Sequence, residues 1–237
     1  MANGMNLSQL IAAVYVETNR PDLIQETLQS VLTATVSLHT CEQFPGDIQA
    51  AQFVFDTPAY LLEIDVESLP LFRSLSYARK NDPTLAQFQQ NPTILPPLFN
   101  AATGAYNIRQ SMRMLKVVSP VDIFDEFGTE KQDVCYQAGQ VIAVKSSSLL
   151  QYLLLGFYQY PNLDVNNAGA AYSSWIANEF PYAIVYEAAG QLLASVGNDT
   201  QASRYLQAAP PNNPDGGGLA VQLKRKLITN KLLLEGY

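Results

Sequence analysis

His39 is the only histidine in the chain and stands two residues before Cys41. An imidazole and a thiol are the minimum for a cysteine nucleophile with its base, provided that an acid orients the ring and the side chains meet in space. At the end of a helical run and beside Leu38, a histidine satisfied by backbone carbonyls is the simpler expectation. Asp122, Asp125 and Glu126, in VDIFDEF, form the densest acidic group. Paired carboxylates hydrolyse glycosides or hold a divalent cation. This spacing lacks the alternating ligands and central glycine of a calcium loop, so capping and a solvated face are expected. Glu63, Asp65 and Glu67 share one face of a strand, where like charges favour exposure. Asn198-Asp199-Thr200 fits a glycosylation pattern but reads better as a junction between helices.

The sequence contains no G-x-S-x-G, H-E-x-x-H, G-x-G-x-x-G or phosphate-cradling G-x-x-x-x-G-K-S/T, which removes the usual signatures of four reaction classes. Cys41 and Cys135 are isolated thiols without a Cys/His cluster, so zinc is not expected and both read as small buried hydrophobes. No catalytic residue, metal or cofactor is expected. The net charge of −7 disfavours attraction to phosphate backbones or anionic membranes. With no long apolar run and no signal-peptide pattern at MANGMNLSQL, a soluble chain made in a cytoplasm is expected. Only 15% of residues are charged, against roughly a quarter in an ordinary globular domain, and such a surface suits being covered by partners.

The elements that must position these residues follow from periodicity. Leu7, Leu10, Ile11 and Val14 share a helix face, and so do Ile24, Leu28, Val31, Thr35 and Leu38. Between them, Asn19-Arg20-Pro21-Asp22 predicts a stop and a restart, with Pro21 in the first turn of the second helix and Asp22 at its positive end. Alternation at Phe53 and Phe55, then at Leu62, Ile64 and Val66, predicts strands, continued by Leu75 and Tyr77. Met112 to Val118 forms another strand, and Ser119-Pro120 starts a short helix. Val134–Lys145 predicts a hairpin turning at Gly139. Tyr152–Tyr160 is the strongest β segment, with Gly156 marking a bulge or a close backbone approach. Pro181 opens a helix in which Ala188, Ala189 and Gly190 let a neighbour come close. One of Asn198, Asp199 and Thr200 caps a further helix through Leu206.

The expected class is α+β: N-terminal and C-terminal helices (7–41 and 173–207) forming a helical bundle, a central mainly antiparallel β region (50–160), and an extended C-terminal tail. Residues 84–107, rich in proline, read as an insertion, and 1–209 as one body. Residues 210–218 read as a flexible linker. In the tail 219–237, Leu223, Leu227, Ile228 and Leu232 would anchor a partner, while Lys224, Arg225, Lys226 and Lys231 meet its acids. The alternative is an ordinary last helix folded on its own body. Tyr172, Trp175, Phe180 and Tyr182 read as core or as an intersubunit surface.

Residues 5–207 resemble the head-to-tail adaptor (connector) proteins of tailed bacteriophages, especially the short-tailed ones. The most specific parts are T-N-R-P-D-L at Thr18–Leu23 and S-W-I-A…P-Y-A-I-V-x-E-A-A at Ser174–Ala189. Insertion 84–107 and the segment after Pro210 depart from the family pattern. The resemblance implies a structural virion protein and no enzyme. It implies a homo-oligomeric ring, twelvefold in that family, in the neck between the capsid portal protein and the tail or nozzle protein. Viral DNA would pass through the channel without specific binding, and no membrane would be involved. Two alternatives stand beside it: a small hydrolase acting on cell-wall glycan through the acids near 122–126, and another neck or tail component.

Overall fold

The computed structural model describes residues 4–81, 112–126, 128–164, 172–208 and 216–234. The chain divides into two compact units, Met1–Asp47 with Tyr160–Tyr237, and Ile48–Gln159. The second is inserted into the sequence of the first.

The first unit is helical. Helix α1, Leu7–Thr18, begins with a reciprocal cap in which Asn6 Oδ1 accepts the Gln9 N–H and Gln9 Oε1 accepts the Asn6 N–H, satisfying two donors that the helix cannot. It ends at Asn19 in the left-handed region, φ 52°, which asparagine tolerates. Helix α2, Ile24–Thr40, starts later than the sequence predicts. Pro21 and Asp22 lie in the turn before it, where Asp22 pairs with the Arg20 guanidinium. The remaining helices are α3 (Trp175–Glu179), α4 (Pro181–Ser195), α5 (Asp199–Leu206) and α6 (Leu219–Leu234). Pro181 takes the first turn of α4 and Asn198 caps α5, both as the sequence predicts. A two-stranded ribbon, β6 (Asn162–Leu163) with β7 (Tyr172–Ser173), completes the unit.

Helix α4 is the hub, packed on α1, α2, α5 and α6. Ile184, Val185, Ala188, Ala189 and Leu192 are buried with Leu10, Val14, Val31 and Leu38. A side chain at Gly190 would lie 2.5 Å from Leu206, so this small position is what admits α5. The chain reaches α6 through Gly218, whose N–H bonds to the Gln207 carbonyl at 3.0 Å. A Cβ there would meet the Tyr205 carbonyl oxygen at 2.1 Å. Ala220 and Leu227 are buried in the unit's core, with Leu223 and Ile228 packed against it. The segment expected as an extended tail is thus a helix folded on its own unit.

The second unit overturns the expected class. Strands β1 (Ile48–Asp65), β2 (Phe72–Asn81), β3 (Met112–Val117), β4 (Val134–Ala138) and β5 (Val141–Gln159) run in the order β1-β5-β2-β3-β4, and β4 pairs back with β5. The result is a closed β-barrel, not a mainly antiparallel β region alongside a helical bundle. Closure has a physical cause in strand length. The 19-residue β5 pairs with β4 along Val141–Lys145 and with β2 along Leu153–Gln159. The parallel pair β3–β4 then joins the two ends of the wrap. Closing removes hydrogen-bonding edges that an open sheet would expose.

Ile142, Val144, Leu150, Leu153, Leu155 and Phe157 of β5 are buried with Ile64, Ala78, Leu115 and Cys135. Gly156 is a close approach, as expected: a Cβ would sit 2.2 Å from the Tyr77 ring, beside a register shift between Leu75 and Tyr77. Gly139 turns the predicted hairpin at φ 63°. Insertion 84–107 and linker residues 210–215 lie outside the described residues.

Candidate functional site

The last turn of α2 carries His39, which is buried. Phe44 to Asp47 then form a tight turn closed by the Asp47 N–H on the Phe44 carbonyl at 3.0 Å. This turn directs the Asp47 carboxylate back at the ring, with Asp47 Oδ1 2.6 Å from His39 Nδ1. On the far side, Ser174 Oγ lies 2.8 Å from His39 Nε2. A carboxylate only accepts, so in the neutral ring Nδ1 carries the proton and Nε2 accepts the Ser174 hydroxyl. The Trp175 indole N–H donates to the same Asp47 oxygen at 2.7 Å, and its ring packs edge-on against His39 and Phe44. Gly46 makes room for it, since a Cβ there would meet the indole at 2.9 Å.

Hydroxyl, imidazole and carboxylate are thus ordered as in a serine nucleophile with its base and orienting acid. Two features redirect the chemistry. Ser174 is only 5% exposed, leaving little approach for a carbonyl carbon. Its Oγ also accepts the Ala177 N–H at 3.2 Å as the N-cap of α3, so the nearest backbone donor is spent on the hydroxyl itself rather than on a developing oxyanion. The relay fastens the end of α2, the 44–47 turn and the start of α3. An open pocket of about 330 Å³ lies beside it, lined by Gly4, Met5 and Asn6 on one side and Tyr172, Ser174 and Asn178 on the other.

The barrel has a second polar cluster. Lys80 is 2% exposed, and its ammonium pairs with Asp133 while donating to Ser146 Oγ at 2.8 Å and Ser148 Oγ at 3.2 Å. Asp133, held at φ 59°, also accepts the Ser147 N–H and hydroxyl. Burial raises the Asp133 pKa, but the Lys80 and Ser147 bonds outweigh it and the carboxyl titrates below its ordinary value.

Of the sequence candidates, His39 is satisfied by side chains rather than carbonyls, and both its ring nitrogens are bound to residues other than Cys41. Cys41 is half-buried, its thiol on the Leu38 carbonyl. Cys135 is buried, and that burial pushes its thiol up to about 12. Asp125 builds a turn, accepting the Thr129 N–H at 2.7 Å, while Asp122 and Glu126 are exposed. Glu63 and Asp65 are solvated, and Asp65 caps Glu67. Tyr172, Trp175 and Phe180 pack against their own unit's core, Tyr172 bonding Thr35 Oγ at 2.9 Å, whereas Tyr182 is exposed. In α6, Leu227 is buried, Lys224 and Arg225 are half-buried, and Lys226 is exposed. Among the described residues no group of three metal-ligating side chains exists, and no helix is long and apolar enough to cross a membrane.

Asp47, Ser174, Lys80 and Asp133 were not legible as site residues. Only the Ser146-Ser147-Ser148 run, polar within an apolar strand, carried a signal for the barrel cluster. Compared with known proteins, the chain matches no family model and no curated protein.

Proposed function

We propose that the chain is a structural virion protein, a head-to-tail adaptor that forms a ring, twelvefold as in the family it resembles, between portal and tail and around the DNA channel. The carrying observation is apolar surface on both units. Val16 and Ile24 on the helical unit, and Val54, Tyr60, Met114 and Val121 on the barrel, are all exposed. A copy within a ring has a neighbour on each side and partners above and below, so apolar surface on several faces is what such a place requires. The relay supports the reading by using the most catalytic-looking groups as a fastener. The protein is a monomer when free and closes into a ring on the cognate portal. Electron microscopy of the protein with that portal tests this: a closed ring of this chain beneath the portal is expected, and a portal left bare at saturating protein would overturn it.

The hydrolase alternative has its better geometry at Ser174, His39 and Asp47 rather than at Asp122, Asp125 and Glu126. Covalent labelling by a fluorophosphonate, abolished in Ser174→Ala, would replace the structural reading; no labelling is expected.

A further inference from the structure

We infer that loop 118–126 of one copy docks on the outer face of α6 in the next copy, as the repeating contact of the ring. This rests on the ring reading above. The loop holds apolar groups in water on a built backbone. Val121 is 84% exposed and Phe124 is 52% exposed, yet the Asp122 N–H closes on the Ser119 carbonyl at 2.9 Å and the Lys131 N–H on the Ile123 carbonyl at 2.8 Å. A bridge pairs Phe124 with Glu130. The apolar pair is therefore presented rather than merely frayed, and Asp122 and Glu126 border it as exposed acids.

The occupant follows from charge. In a chain of net charge −7, helix α6 carries Lys224, Arg225 and Lys226 and no acidic residue. Its inner face is committed to the core through Ala220 and Leu227, which leaves Leu219 and Lys226 facing outward. An acidic border around two apolar side chains complements the exposed Lys226 with the exposed Leu219 two turns before it, and such pairing steers register and encounter. Loop and helix are different surfaces, so the contact is head-to-tail. Repeated with a rotation that closes, as the ring reading requires, it makes a ring rather than a twofold dimer.

Cysteine cross-linking on the full chain in a Cys41→Ser background tests the contact, with Cys135 buried and silent. On the cognate portal, Val121→Cys combined with Leu219→Cys on one chain should oxidise to a ladder of multimers. Either substitution alone should give no dimer, and mixing the two single variants should give dimers only. Glu126→Lys or Lys226→Glu in the doubly substituted chain should each slow cross-linking at least about tenfold at low salt, and together restore it. A homodimer from Val121→Cys alone would mean a twofold contact and overturn the proposal. Rings on the portal without a 121–219 cross-link, unaffected by the charge changes, would assign the loop to portal or tail protein and overturn it while leaving the ring reading standing. A bare portal would remove both.

Discussion

Each unit buries one polar network, and the two solve the problem differently. In the helical unit both members of the His39–Asp47 pair are 2% exposed, and the bond directions run through side chains from three separate pieces of chain. In the barrel Lys80 is equally buried, but its partner Asp133 is 37% exposed, so the pair reaches water through its carboxylate. The closed site meets its carboxylate with two ring nitrogens, from the imidazole and the Trp175 indole. An ammonium needs a counter-charge, and keeping that charge partly in water lowers the cost of burying the pair.

The strongest test of this contrast is Asp133→Ala, which leaves the Lys80 ammonium with hydroxyls alone. A loss of about 3 kcal/mol is expected in denaturant unfolding, read by exposure of the Cys135 thiol as the barrel opens. Adding Lys80→Met should recover most of it; equal instability in the double variant would mean that the cluster's packing matters and not its charge. Next in size, Ser174→Ala removes the cap of α3 and strips the acceptor at His39 Nε2 of its donor, for about 1–2 kcal/mol. Trp175, the sole tryptophan, reports on the helical unit. Its transition should move while the Cys135 transition stays, and a joint shift would show the two units unfolding as one.

Smaller is the acid response. The Asp133 pKa is lowered in the folded state, so its stabilisation is full above the ordinary carboxylate value of about 3.9 and is lost as pH falls through the folded value. Barrel stability followed downward from pH 5 should fall less steeply when Asp133→Asn and Lys80→Met are combined, and an unchanged slope would assign the acid response to other carboxylates. Smallest of all, the native protein should leave Cys135 unmodified by a thiol reagent at pH 8, since burial holds that thiol at about 12; rapid modification would show the barrel opening locally.

Local structure was the legible part. The Asn19 stop, the Pro181 start, the Asn198 cap and the Gly139 turn all depend on chemistry within a few residues, which a sequence displays directly. Closure of the barrel does not. Alternation says which face of β5 is inward, but a closed and an open sheet share it, and the choice depends on which strands flank each half of β5. The polar clusters failed for the same reason. His39 and Ser174 are 135 residues apart and Lys80 and Asp133 are 53 apart, and no spacing rule reaches so far. For α6, an apolar stripe fits a neighbour's surface as well as its own, and what places it inside is Gly218 against the Tyr205 backbone.

The insertion of the barrel between Asp47 and Tyr160 has a consequence for synthesis. Translation delivers α1, α2 and the 44–47 turn first, then the whole barrel, and only afterwards the Ser174–Trp175 segment that seals them. At roughly 5–20 residues per second, the first two helices wait on the order of ten seconds before α4 can cover them. During that wait Leu10, Val14, Val31 and Leu38 lack the partner that buries them in the finished protein, while the barrel has every strand that it needs. The nascent chain should therefore gain barrel pairing before its helical core. A ribosome stalled near residue 190 should hold a finished barrel and unfinished helices, open to whatever chaperone binds apolar stripes.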